Sequence, residues 1–357
     1  MQHFEGSGEQ MRRVWLVSWY GEWAGGLERI VRILKETLQD EYDVVVVDIP
    51  YICKYRWWKM IMNTNSRVSL MLVFSLFLKI KVKKQDILIT HGQNAPFVKS
   101  DYLFDHGSIM SLKRATGEFV YGGSSVFEMI AVKKAKLNIA VSQWTKQQIL
   151  SNYHISVNRV KVINNCVEDY LFYPENSDKN DSVTILFCGR LEKAKGLDDL
   201  LILADAIEES DKYKIKIAAN DKKNTEYFAG RQNVEVHCGL KTEQMNAFYN
   251  EGDVLYVPSR CEGFGMGIIE SLSAGIPVVA NCVGIVPELI DRKCPGIEKI
   301  ETIDTVDRLL EKLETMASKY RSMDNRWELH KLIADEFGIE NYKNKVRKMI
   351  KENEKAK

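Results

Sequence analysis

The chain has no CxxC pair, no apolar run long enough to cross a bilayer, no low-complexity tract and no internal repeat of solenoid period. It also has little net charge. Each deficiency excludes something. Seven cysteines, an odd number and all isolated, argue against a disulfide framework or a zinc site and predict a reducing cytoplasm. The longest apolar stretch, Val68–Leu78, would span about 16 Å as a helix, roughly half of a ~30 Å hydrocarbon core, so it is not a transmembrane helix. The first ten residues are polar, and the run Val14–Trp19 is too short for a secretory leader and carries no cleavage signature. Fifty basic against 49 acidic side chains give a net charge of +1, which excludes nucleic-acid binding driven by bulk charge. No solenoid, collagen-like or disordered class fits.

What is present is a soluble globular composition, 45% apolar and 28% charged, over 357 residues. At about 150 residues per domain, that length predicts two domains. The small net charge conceals an asymmetry: residues 1–165 carry 22 basic and 14 acidic side chains, and 166–357 carry 28 and 35. Around Val68–Leu78 stand Arg56, Lys59 and Arg67 on one side and Lys79, Lys81, Lys83 and Lys84 on the other, with Trp57 and Trp58 just upstream. Such a segment, 54–84, suits the surface of a membrane rich in anionic lipid. A buried core helix followed by solvated lysines fits the same residues.

Short β-branched runs alternate with amphipathic helices. Strands are predicted at Arg13–Ser18, Val44–Ile49, Ile87–Thr90, Leu137–Val141 and Val160–Ile163, with helices near Leu27–Leu38 and Thr145–Asn152. Val44–Ile49 is apolar throughout, as expected of a parallel strand covered on both faces. The loop-like run Asn176–Ser182 follows, and the pattern restarts. Strands are then predicted at Val183–Cys188, Lys214–Ala218, Val234–Cys238, Val254–Val257 and Pro277–Ala280. Helices are predicted from Leu197, near Glu243–Asn250 and over Gly267–Ala274. Two such series imply two doubly wound α/β domains with ligands at the carboxyl ends of their strands.

Three segments carry chemistry. Gly21–Ile30, GEWAGGLERI, is a glycine turn between a strand and a helix, where backbone N–H groups and the helix dipole can meet a phosphate or a sugar. It is not a GxGxxG. Phe187–Leu201, FCGRLEKAKGLDDLL, ends a strand and presents Arg190 and Lys195, a planar fork and a point charge suited to a diphosphate. Pro258–Ala280 places Glu262 and Glu270 eight apart with Gly263, Gly265 and Gly267 between them, a phosphate cradle opening onto a helix. Glu270 can accept from a cis-diol such as ribose, and Glu262 from sugar hydroxyls. No DxD stands in a metal-binding context.

These segments resemble the retaining glycosyltransferases of the GT-B fold, in the large family four (group 1). NIAVSQWTKQQIL with VKVINNCVEDYLFYP, GRLEKAKG, and EGFGMGIIESLSAGIPVVA are similar to three of that family's motifs. The resemblance implies two Rossmann-like domains facing across a cleft. Residues 1–170 would form the acceptor domain, 171–339 the nucleotide-sugar domain, and a last helix, about 340–357, would pack back on the first. It implies that Arg190 and Lys195 grip the diphosphate and that Glu270 holds the ribose. Glu262, with the backbone of Phe264, Gly265, Met266 and Gly267, would hold the transferred sugar. Gly25 and Gly26 would approach the donor from the other domain. A histidine near the reacting sugar is implied as well. His106, in FDHG, is preferred for its order and spacing, and His91, in ITHG, then lines the acceptor side. His106 and Glu262 are the implied catalytic pair.

The expected activity is metal-independent, cofactor-free transfer of a hexose, with retention, from a UDP- or GDP-sugar to a hydroxyl of a glycan or lipid-linked glycan. The expected setting is polysaccharide or glycolipid synthesis in the cytoplasm or at the inner face of the cell membrane. A non-catalytic glycan-binding or partner subunit on the same scaffold is the alternative, with a phosphorylase as a further rival. The chain departs from the family pattern at Asn164 and Cys166, where proline and glycine are usual, at the connection between the domains.

Overall fold

Alternation along the first strand sets up the first domain. In β1 (Arg13–Val17), Val14 and Leu16 are buried in one apolar cluster and Trp15 and Val17 in another, one on each face of a sheet. The computed structural model describes residues 11–20, 25–117, 124–176, 182–301 and 305–355. β1 pairs with β2 (Asp43–Val47) and β3 (Ile87–His91). β4 (Tyr102–Asp105), β5 (Leu137–Ala140) and β6 (Val160–Val162) extend the sheet in the order β2-β1-β3-β4-β5-β6, all parallel. The helices Gly25–Leu38 and Ile339–Lys355 share one face, through Ile30, Ile33 and Leu34 and through Tyr342, Val346 and Met349. The helix Arg67–Lys81 covers the other with Leu70, Phe74 and Phe77.

The second sheet has the order β12-β11-β10-β7-β8-β9 and is also wholly parallel. Its strands are β7 (Val183–Gly189), β8 (Tyr213–Ala219), β9 (Val234–Cys238), β10 (Val254–Val257), β11 (Val278–Ala280) and β12 (Ile297–Lys299). Its core runs from Ile185 and Phe187 to Leu329, Ile333 and Phe337 of the helix Met323–Phe337. Each domain is thus a doubly wound α/β unit. Strand order reverses between β1 and β3 in one sheet and between β7 and β10 in the other. Crevices open at the carboxyl ends of strands at such reversals.

Three expectations are corrected. β2 is an edge strand with a neighbour on one side only; Asp43 to Val46 are half-buried and only Val47 is fully buried. Its apolar run reflects one covered face rather than two. β4, whose short apolar run ends on Asp105, and β12 are not among the expected strands, yet β4 sits mid-sheet. Neither Asn165 nor Cys166 has a positive φ. The backbone there makes no demand for glycine, and Asn164 donates from Nδ2 to the Val141 carbonyl at 3.3 Å. Residues 21–24 of the first glycine turn and 177–181 of the loop between the two series lie outside the described residues.

Candidate functional site

A cavity of about 490 Å³ lies where the two reversal points face each other, lined by Gly26, Arg29 and His106 of the first domain and by residues of the second. From the second domain come Arg190, Lys195, Glu262, the backbone 263–267 and Glu270. Gly25, beside Gly26, opens the helix Gly25–Leu38.

β7 ends at Gly189, and Arg190 leaves the strand half-exposed and paired with Glu192 at 2.9 Å. A 3₁₀ turn, Lys193–Lys195, then delivers Lys195, whose Nζ lies 2.6 Å from Glu262 Oε1. The turn closes at Gly196, which has φ +79°; a Cβ there would stand 2.4 Å from the Pro258 carbonyl oxygen. Only glycine lets the lysine loop press against the end of β10. Glu262 Oε1 also accepts from Ser259 Oγ at 2.8 Å.

The glycine-rich loop after β10 is held by the first domain. Ser142 Oγ and Thr145 Oγ1 donate to the Gly263 carbonyl at 2.6 and 2.7 Å. A Cβ on Gly263 would fall 1.8 Å from the His106 carbonyl oxygen, so this contact admits no side chain. Phe264 turns its ring into the core beside Phe337, leaving its backbone on the cleft. Gly265 caps the helix Met266–Ser273, on which Glu270 is almost fully buried. Glu270 Oε2 accepts from the Tyr249 hydroxyl at 3.0 Å, and Oε1 pairs with Arg29 across the cleft.

Arg29 is a residue that motif reading did not single out. It also lies 3.3 Å from buried Glu168, which binds Arg32 at 2.6 Å. This cation therefore ties Glu270 to Glu168, in the chain segment joining the domains. The available signal was a lone arginine in GGLERI, indistinguishable in sequence from a solvated helix residue.

The two candidate histidines meet. His91 Nδ1 and His106 Nε2 are 2.9 Å apart, with rings stacked at 5.1 Å. His106 faces the cavity. His91, at the end of β3, lies fully buried behind it and is not on an open acceptor wall. Burial lowers the His106 pKa to about 4, and burial with the neighbouring His106 charge lowers that of His91. Both rings are neutral near pH 7, so one donates and the other accepts.

A buried acid group stands nearby. Asp105 accepts from the Gly107 N–H at 2.9 Å, and burial raises its pKa. Glu128 accepts from the Ile109 N–H at 3.0 Å and from the Tyr153 hydroxyl. Burial, and then the charge of Asp105, push Glu128 up to about 8. Between its ordinary value of 4.5 and about 8, native Glu128 keeps a proton that the unfolded chain releases. Stability present at low pH is therefore lost as pH rises through that window. The unfolded histidines are half protonated near pH 6.5 and lose that proton just above it, which raises the stability of the native chain and of a Glu128 variant equally. From about pH 6.5 to 8.5 the native chain should lose about 2 kcal/mol of stability relative to Glu128→Gln, read as a narrowing gap between their thermal midpoints. A parallel course in both would show that Glu128 is ionised in the fold.

Among the described residues no group of three or more His, Cys, Asp or Glu side chains could hold a metal ion, and no helix is long and apolar enough to cross a membrane.

Residues 172–330 match the family of group 1 glycosyl transferases. An uncharacterized glycosyltransferase of Methanocaldococcus jannaschii is 27% identical over 338 residues, covering 84% of this chain and 88% of that one. Among solved structures, a sucrose-phosphate synthase from Thermosynechococcus elongatus superimposes with a TM-score of 0.75 at 15% identity, over 97% of this chain and all of that one. The Anabaena protein HepE, solved with UDP, gives 0.67 at 15%, over 96% and 100%. The architecture is that of the two-domain GT-B glycosyltransferases.

Proposed function

We propose that this protein moves a hexose, with retention and without a metal ion, from a nucleoside diphosphate sugar to a hydroxyl of a glycan or lipid-linked glycan. The observation that carries the reading is the convergence of Lys195, Glu262 and Glu270 in one cavity, opposite His106 and Gly26. The family match over the second domain supports it.

Lys195 and Arg190 hold the diphosphate together with the N-terminus of the helix Met266–Ser273. A phosphate that takes the Lys195 ammonium frees Glu262 from its ion pair, and the carboxylate then accepts from hydroxyls of the transferred sugar. Glu270 accepts from the ribose. The bond between the sugar's anomeric carbon and the phosphate oxygen breaks as the bond to the acceptor oxygen forms on the same face, and the acceptor proton passes to the leaving phosphate. Lys195, Arg190 and the helix dipole take the charge that develops there.

A thermal-shift panel of UDP, GDP, ADP and their sugars tests the donor class. A ligand at a hundredfold its Kd stabilises the native state by about 2.7 kcal/mol, so the correct base should raise the midpoint clearly above the others. No shift with any nucleotide would sink the transferase reading and favour a non-catalytic glycan-binding subunit.

A further inference from the structure

The helix Arg67–Lys81 has two apolar faces. Leu70, Met71, Phe74, Phe77 and Leu78 are buried against the sheet. Val68, Leu72, Leu76 and Ile80, each four residues from the last, form a second stripe that is 48, 52, 49 and 65% exposed. The preceding helix, Arg56–Ile61, continues it with Trp57, Met60 and Ile61, at 79, 70 and 59%. A groove of about 380 Å³ runs beside the stripe, with Ile61, Leu72, Leu76 and Phe97 among its walls and Lys79 and Lys134 at its edge. Contiguous apolar surface of this kind marks a site of association.

Charge identifies the occupant. From Ile49 to Gln85 there are eight Lys and Arg residues and no Asp or Glu. Lys81 lies over the Tyr55 ring at 4.8 Å and Lys54 over Tyr51 at 5.4 Å, so the cations belong to the same surface as the aromatics. A second copy of this chain would bring like charges face to face. A bilayer containing anionic lipid satisfies both halves: headgroups meet the cations, at about 1 kcal/mol each near the surface, and the stripe enters the acyl boundary. A helix of 15 residues, about 22 Å long, is too short to span and is suited to lie in the interface. Trp57 has the amphipathic ring that favours that depth.

We propose that the helices Arg56–Ile61 and Arg67–Lys81 form a surface that seats the first domain on an anionic lipid bilayer. The groove beside this surface includes Phe97, from the loop that follows β3 at the cleft end of the sheet, so seating brings the membrane close to the acceptor side. The surface stands independently of the transfer chemistry, and its test needs no substrate.

The full chain is mixed with vesicles of phosphatidylcholine alone or with added phosphatidylglycerol, and sedimented. Binding is expected only with phosphatidylglycerol, falling as salt is raised. Leu72→Glu/Leu76→Glu changes two exposed positions and should lower the partition at least about tenfold with an unchanged thermal midpoint. Lys79→Gln/Lys81→Gln/Lys83→Gln should lower it by a similar factor and flatten the salt dependence. Native protein left in solution with anionic vesicles overturns the proposal. So does unchanged binding by both variants, or a native dimer that the glutamate variant converts to monomer.

Discussion

Lys195→Ala should abolish sugar transfer and leave the protein folded. The side chain is about one-fifth exposed, and among the described residues its ion-pair partner is Glu262, which retains the Ser259 hydroxyl after the change. Both members are largely buried, so losing the cation should cost more than at a surface pair, about 1–3 kcal/mol, which a folded domain tolerates. The catalytic loss is larger. Charge accumulates on the leaving diphosphate as the glycosidic bond breaks, and removal of one preorganised donor at such a point costs about 10²–10³ in kcat. The measurement pairs turnover at saturating donor with a thermal midpoint. Native-like turnover in a folded Lys195→Ala protein would remove the diphosphate role assigned to this loop.

Glu270→Gln should weaken binding of the nucleoside diphosphate about 100-fold. Hydrogen bonds to a charged acceptor contribute about 1.5–3 kcal/mol each, and a hundredfold loss is about 2.8 kcal/mol. Glutamine is the informative replacement. Alanine would strand Arg29, which is largely buried and already shares its charge with Glu168; breaking such a pair costs about 3–5 kcal/mol and confounds folding with binding. The control is a nucleotide lacking both ribose hydroxyls. Calorimetry should show a large gap between the native and Glu270→Gln proteins for the ordinary nucleotide, and nearly equal affinities for the dideoxy form. An equal loss with both nucleotides would move Glu270 away from the ribose and make it a support for Arg29.

The second domain was legible in the sequence, the three-residue β12 apart, because most of its strands are β-branched runs and its loops are punctuated by glycines that the geometry requires. Gly196 and Gly263 each stand where a Cβ would strike backbone, and each falls inside a motif that reads as a ligand loop. The first domain was less legible. β4 is three apolar residues cut off by the charged Asp105, and β2 is apolar for reasons that do not separate an edge from a centre. Two histidines read as alternatives because sequence spacing cannot show that β3 and β4 are neighbours; their adjacency places the rings in contact. Arg29 and Glu128 act through partners more than a hundred residues away or across a helix pair, and no local pattern announces either. The exposed stripe on Arg67–Lys81 was hidden by its opposite face, since a helix apolar on both sides has no polar period to read.

The last helix, Ile339–Lys355, has a consequence for how the chain is made. Ile339, Tyr342, Val346, Met349 and Ile350 complete the cluster that holds Val14, Leu16 and Ile30, more than three hundred residues earlier. The second core closes by Phe337, two residues before that helix begins. During synthesis from the N-terminus, the part translated second can therefore finish folding first. The part translated first must wait for residues 339–350, with one face of its sheet uncovered. Of the two halves, the one that emerges earliest from the ribosome is exposed to aggregation for longest.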